Sequence, residues 1–259
     1  MDFTVKTYIE LLEALIREGS YFKTFTQYIE EKPNKVFVLR HDVDLLPNHS
    51  LRFAKIQAEK GISGSYFFRA VPESWDESII KEIAGLGHEI GYHYEDLTLE
   101  NGNVDKAYDS FCRNLDDLRK LADVSTICMH GSPASPYDSK DIWKKYDYRK
   151  LGIIGEPYFD IDFSKIYYLT DTGRCWDGYK VSVRDKIPKY QDLWIREGFS
   201  FHSTQQVISG VKEGRMQKGV MFTFHPQRWH NSFVAWSKEL VFQNLKNIIK
   251  KHFFVKRSH

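Results

Sequence analysis

Between Val36 and His130 the chain alternates short apolar runs with segments of helical periodicity, and nothing else in the sequence limits its fold as strongly. Val36 to Asp42, VFVLRHD, is apolar and β-branched, the pattern of a strand buried on both faces. Leu51 to Lys60 is helical and stops at Gly61, a residue that closes helices in the left-handed conformation. Ser63 to Ala70 is the next strand. Ser74 and Glu77 stand at capping-box spacing ahead of a helix over Ile79 to Leu86, which Gly87 closes. His88 to His93 is a third strand. Val104, Ala107, Phe111, Leu115, Leu118 and Ala122 then recur at helical spacing, and Ser125 to His130 is a fourth strand. This β-α-β-α rhythm is that of an α/β protein with a parallel sheet or barrel.

Outside that core the pattern is looser. MDFTVKTYIELLEALIREG carries acids inside its apolar periodicity and lacks both a basic start and a cleavage site. It reads as an amphipathic helix in a helical extension over 1–35, not as a signal peptide. The middle, from Gly131 to about Tyr190, is rich in Tyr, Asp, Gly and Pro; 131–200 reads as an elaborated loop region with a short strand at Lys165 to Thr170. Regular structure returns with a helix at Thr204 to Ser209, a strand at Val220 to Pro226 and a final helix over Ser237 to Lys250. No internal repeat and no linker poor in apolar residues divides the chain, so one domain over 1–259 is expected.

A formal charge of +2 gives no concentrated basic face for nucleic acid. The basic run KNIIKKHFFVKR reads as a solvated helix end whose cations the helix dipole favours. No apolar stretch approaches the ~20 residues of a membrane span. Cys112, Cys128 and Cys175 are odd in number and show no CxxC spacing, which fits a reducing cytoplasm better than a disulfide framework or a thiolate zinc site.

Functional groups of parallel α/β folds collect at the C-terminal ends of strands. The first strand ends in LRHDVDL, and its side-chain period of two sends Asp42 and Asp44 to the same side. Two carboxylates that close resist joint ionisation unless a cation intervenes. Asp44 alone would serve as a helix cap or Asx turn, but a cap leaves His41 and Asp42 unexplained. His93 ends the third strand, and an imidazole beside carboxylates is usual equipment for zinc or a similar metal. His88, five residues away on the opposite face and ~16 Å distant in an extended strand, reads as structural.

HDVD followed some fifty residues later by GHEIGYH resembles the first two motifs of the polysaccharide deacetylases, the NodB-homology carbohydrate esterases. The resemblance implies a distorted parallel (β/α) barrel with an elaborated central loop region. It also implies Asp42 as catalytic base and Asp44 as metal ligand. The family's second motif, His-Ser/Thr-x-x-His, supplies two ligands; here His93 is present and Leu97 stands in the second place. A third ligand must then come from elsewhere. His130, in CMHGSP at the fourth strand's end, is the first choice, with Glu95 and Asp96 nearer in sequence; alternatively His130 binds substrate or a backbone carbonyl. VMFTFHPQRW resembles the family's last motif, which makes His225 the general acid and lets Trp229 wall the acyl pocket. Arg174, Trp176 and Asp177 fall where the family places a substrate-binding loop.

The activity so implied is metal-assisted hydrolysis of an N-acetyl group on an amino sugar, with zinc as the expected divalent metal. Without a secretion signal, the expected substrate is a nucleotide- or lipid-linked sugar of surface-polysaccharide (O-antigen or lipopolysaccharide) assembly in the cytoplasm. Two alternatives remain open: a non-catalytic relative that binds a sugar or partner, and an amide hydrolase of the same fold acting on something other than a sugar. A glycosidase would place its carboxylates ~5–9.5 Å apart and would have no use for His93 and His225.

Overall fold

The computed structural model describes residues 1–132, 135–176 and 187–249. In chain order these form α1 (Val5–Glu18), β1 (Tyr21–Lys23), α2 (Phe25–Glu31), β2 (Val36–Val43), α3 (Pro47–Glu59), β3 (Ser65–Phe68), α4 (Glu77–Gly85) and β4 (Glu89–Tyr94). There follow α5 (Asp96–Leu99), α6 (Val104–Arg119), β5 (Ile127–Met129), α7 (Pro157–Asp160), β6 (Ile166–Thr170), α8 (Pro188–Arg196), α9 (Thr204–Lys212), β7 (Gly219–Phe224) and α10 (Phe233–Ile249). The chain divides into two compact units interleaved in sequence: Met1–Phe22, Pro33–Val38 and Asp162–His259 form one, Lys23–Lys32 and Leu39–Ile161 the other.

In the second unit β2, β3, β4 and β5 lie side by side and parallel, with Arg40 level with Ser65, Phe67 with Gly91, and His93 with Cys128. Every residue of β2 is buried, as its unbroken apolar run requires. Gly91 is glycine because a Cβ there would overlap the Phe67 ring of the neighbouring strand. In the first unit β6 and β7 pair in parallel, Leu169 level with Phe222, and Val36 lies against Gly219. There α1 packs on α9; a Thr4–Thr7 capping box starts α1 and left-handed Gly19 ends it. Parallel strands alternating with helices are the α/β class expected from the sequence.

Boundaries shift by a few residues, each for a local reason. The helix after β2 begins at Pro47, whose fixed φ suits the first helical position, four residues before the apolar period becomes visible. Asp76, not Ser74, caps α4: its carboxylate accepts from the Ser78 and Ile79 amides at 3.0 and 3.1 Å. Ser74 instead donates to the Val43 carbonyl and accepts from the Arg69 amide at 3.0 Å, bracing the ends of β2 and β3. Within 131–200 the described residues contain β6, α7, α8 and short 3₁₀ turns. Helix α8 is set off by Pro188, and the short turns carry too few residues to show a period.

Candidate active site

Within the second unit, polar side chains gather where β2, β3, β4 and β5 end. On β2, Arg40 and Asp42 share a face, and the guanidinium grips the carboxylate with two bonds, Nε to Oδ1 at 2.8 Å and Nη2 to Oδ2 at 2.5 Å. Both side chains are buried, so each ion compensates the other's lost hydration. Asp42 Oδ2 also stands 3.7 Å from His93 Nε2. His41, on the opposite face, stacks on Tyr66 with centroids 4.1 Å apart and is bonded to the Ser65 carbonyl and Gln57. Burial pushes its pKa down to about 3, so it is a neutral core residue. His88 is likewise internal, accepting from the Gly64 amide and donating to the Ala54 carbonyl.

His93 donates Nδ1–H to the carbonyl of Cys128, its register partner on β5, at 2.9 Å. In its neutral form this leaves Nε2 as a lone-pair donor. His130, one residue beyond β5, is fixed the same way by a carboxylate: Nδ1 lies 2.8 Å from Glu95 Oε2. Both Nε2 atoms converge on Asp44 Oδ1, at 3.5 Å from His93 and 3.7 Å from His130. The three atoms lie within 4.8 Å of one another. Two imidazole lone pairs and a carboxylate oxygen share no hydrogen among themselves, and these separations exceed a hydrogen bond. A divalent cation is the group that reconciles such a donor set, so these residues fit one. Asp44 and His130 are partly exposed, 15% and 19%, whereas His93 is buried, so the set opens to solvent on one side.

Glu95 is the hinge of this arrangement. Its second oxygen takes Arg69 Nε at 2.6 Å and Nη2 at 2.5 Å, and Arg69 Nη1 donates to the Asp44 carbonyl at 2.9 Å. Burial pushes the Glu95 carboxyl up, but its bonds and charge contacts with His130 and Arg69 outweigh that and hold it below the ordinary carboxylate range. The two runners-up for third ligand thus sit elsewhere. Glu95 stands behind His130. Asp96 turns toward α6, accepting from the Tyr92 hydroxyl and Asn114, and its burial raises it to about 6. Leu97, at the motif's second histidine position, is buried against Ala107 and Ile142. A second grouping, Asp42, His93 and Cys128, also lies within 4.8 Å but is wholly buried, and Arg40 already engages its carboxylate.

In the first unit His225 follows β7 and Asp171 follows β6. His225 Nδ1 lies 2.6 Å from Asp171 Oδ1, and its amide donates to Oδ2 at 2.9 Å. Arg228 and the Trp229 indole N–H also donate to this fully buried carboxylate, at 3.1 and 2.7 Å. Such a carboxylate fixes the imidazole's orientation, with Arg228 Nη1 also 3.1 Å from Nδ1. Three residues expected to bind substrate have partners inside their own unit. Trp176 and Trp229 have no exposed surface and pack with Phe3 and Phe224, while the Trp176 indole donates to Thr204. Arg174 lies over the Phe3 and Trp236 rings, 5.1 Å from each, and donates to the Asp2 carbonyl. Trp176 and Arg174 of TDTGRCWDG thus pack within their own unit; Asp177 lies outside the described residues.

Sequence reasoning passed over Arg40, Arg69, Glu95 as a support, and Asp171. A usable signal existed for three of them. Arg40 stands two residues before Asp42 on the same strand face, and Arg69 and Asp171 stand at strand ends, where His93 and His130 were sought.

No family model matches the sequence, and no curated protein matches it. Among solved structures the chain is similar to a family 4 carbohydrate esterase from Bacillus anthracis, with 11% identity, 93% of this chain and 87% of that one covered, and a TM-score of 0.38. It is also similar to the family 4 carbohydrate esterase PdaA of Bacillus subtilis, at 10% identity, 91% and 83% coverage and a TM-score of 0.35. A mutant of a family 4 pseudoenzyme matches at 14% identity, 74% and 66% coverage and a TM-score of 0.39. The structural neighbours so found are carbohydrate esterases of family 4 or relatives of them.

Proposed function

We propose that this chain is a metal-dependent hydrolase that removes an N-acetyl group from an amino sugar. The observation that carries the proposal is the convergence of Asp44 Oδ1, His93 Nε2 and His130 Nε2, with both Nδ1 atoms already committed to acceptors. A divalent cation held by these three residues, zinc by preference, would supply Lewis acidity to the acyl carbonyl and lower the proton affinity of water. Asp42, anchored by Arg40 beside His93, takes the role of general base. Its two bonds to one guanidinium hold the carboxylate in a fixed orientation. His225, oriented by Asp171, takes the role of general acid, so that the amine departs neutral. For the substrate we favour a nucleotide- or lipid-linked sugar of surface-polysaccharide assembly.

Metal analysis of the purified protein, followed by a panel of N-acetylated amino sugars and simple amides, tests the reading. Expected are one zinc or cobalt per chain, its loss in Asp44→Asn and His130→Ala, and amine release from an acetylated sugar only in the loaded parent. A chain that binds no metal and is not activated by added zinc or cobalt would leave the sugar-binding alternative in its place. Release from the simple amides alone would move the activity to another amide class.

A further inference from the structure

Helix α10 turns an apolar row away from the body of its own unit. Val234, Val241, Leu245 and Ile248 follow at spacings of seven, four and three, which is one helical face, and their exposures run from 55 to 60%. Phe242 (54%) and Phe233 (66%) flank the row. The inner side holds the helix by polar bonds instead: the Trp236 indole donates to the Asp2 carbonyl at 2.6 Å, and Asn247 donates to the Gly173 carbonyl at 3.0 Å. An amphipathic helix of a globular protein does the reverse, burying its apolar stripe.

Charge runs the same way. Lys238 and Lys246 are exposed on α10, and Lys246 lies over the Phe242 ring at 4.1 Å. Glu239, the helix's one acid, is only partly exposed. From Leu240 to His259 the sequence has Lys246, Lys250, Lys251, Lys256 and Arg257 and no Asp or Glu. These five cations exceed the formal excess of the entire chain, +2, so the remainder is acidic on balance.

We propose that the outer face of α10 docks on an anionic lipid surface. Apolar side chains would enter the boundary between headgroups and acyl chains while the lysines stay at the phosphates, the division of labour that amphipathic basic helices use. A second copy of this chain is the poorer occupant, because it would bring Lys238 and Lys246 of one helix toward those of the other with only the partly exposed Glu239 to offset them. A neutral apolar partner would use only half of the surface. Among the described residues no helix is long and apolar enough to cross a membrane, so this is attachment at the surface.

Co-sedimentation of the full chain with vesicles tests this. Vesicles of phosphatidylcholine containing about a third phosphatidylglycerol should bind it at least ~10-fold more tightly than phosphatidylcholine alone, and high salt should remove most of that difference. Val241→Asp with Leu245→Asp should abolish binding without changing the circular dichroism, since both side chains are exposed, while Tyr21→Asp, at a 76% exposed position in β1, should leave it intact. Equal binding to both vesicle types, or full binding by the double variant, would overturn the proposal. So would a dimer in solution that the double variant dissociates, which would give the face to a second copy.

Discussion

Glu95→Gln changes no volume and bears directly on how the imidazole set is held. Glu95 serves two clients with two oxygens: His130 Nδ1 at 2.8 Å on one, and the Arg69 fork at 2.6 and 2.5 Å on the other. A glutamine has one acceptor oxygen, so either His130 or Arg69 must face an NH₂ group. If His130 loses its acceptor, its ring is free to turn or to change tautomer, and Nε2 no longer presents a fixed lone pair to Asp44 Oδ1. Removing such a supporting bond weakens metal binding by about 10- to 100-fold, or roughly 1.4 to 2.8 kcal/mol. If Arg69 loses its partner, a guanidinium only 18% exposed is left short of an acceptor, which costs about 1–3 kcal/mol of folding stability.

The two outcomes separate experimentally. Zinc affinity by competition with a chelator, the visible spectrum of the cobalt-loaded protein, and urea unfolding of the metal-free protein together report which client is lost. The expected result is weaker metal binding with an altered cobalt spectrum. A zinc Kd within about twofold of the parent's, with an unchanged cobalt spectrum, would refute the argument that Glu95 fixes His130.

Three further outcomes follow from the same geometry. Burial pushes the Glu156 carboxyl up to about 7 and Asp96 to about 6, against ordinary values of 4.5 and 3.8. The folded state therefore holds these protons more tightly than the unfolded chain. The stability these two groups contribute should fall as pH rises from about 4 to 7, by at most about 3 kcal/mol each, against an opposite slope below about 6.5 from His41, which is held neutral with its pKa near 3. The readout is therefore the difference in urea stability between parent and Glu156→Gln, which should shift against the parent as pH rises from about 4 to 7; parallel curves for the two would refute the raised Glu156 carboxyl. Asp171→Asn should lower kcat by about 10²–10⁴ with KM little changed, since it strips His225 of the carboxylate at Nδ1; an unchanged kcat would take the acid role from His225. Gly64→Ala should cost about 1–3 kcal/mol by urea unfolding, because its Cβ would come within 2.8 Å of Gln57 Oε1 and 3.1 Å of the Leu39 carbonyl oxygen.

Strand periodicity made the β2–β5 succession legible, because buried parallel strands are apolar throughout and their polar ends stand out against that run. It also brought Asp42, Asp44, His93 and His130 forward as strand-end residues, and the structure places their side chains in one neighbourhood. What stayed illegible was pairing. Nothing in GHEIGYHYED says that Glu95 turns to His130 while Asp96 turns to Asn114, since both follow the strand, where the period of two has ended. The burial of Trp176 and Trp229 stayed illegible for a different reason. Indoles are equally at home in a core and in a cleft, and only the placement of Phe3 and Phe224 against them decides for the core.

On the proposed reading, Leu97 leaves the third ligand to another element. In the motif that GHEIGYH resembles, the second histidine lies four residues after the first, so both ligands depend on the turn that follows one strand. Here that turn is α5, and its Leu97 faces Ala107 and Ile142, which makes it part of the core. The imidazole proposed in its place stands at the neighbouring strand end, where the His130 amide donates to the Tyr94 carbonyl at 2.9 Å. His93 and His130 are thus tied through the sheet itself: one ring donates to the Cys128 carbonyl across the β4–β5 pair, and the other's backbone is bonded back to β4. Sheet hydrogen bonds between adjacent buried strands fix such a separation at least as firmly as a short helical turn does. The cost is that His130, lying beyond the last residue of β5, needs a support for its ring, and Glu95 meets that need from the end of β4. Leu97→His should therefore not rescue metal binding in His130→Ala, because its side chain would start inside the apolar cluster and not at the mouth; recovery of zinc affinity in that double variant would refute this placement of position 97.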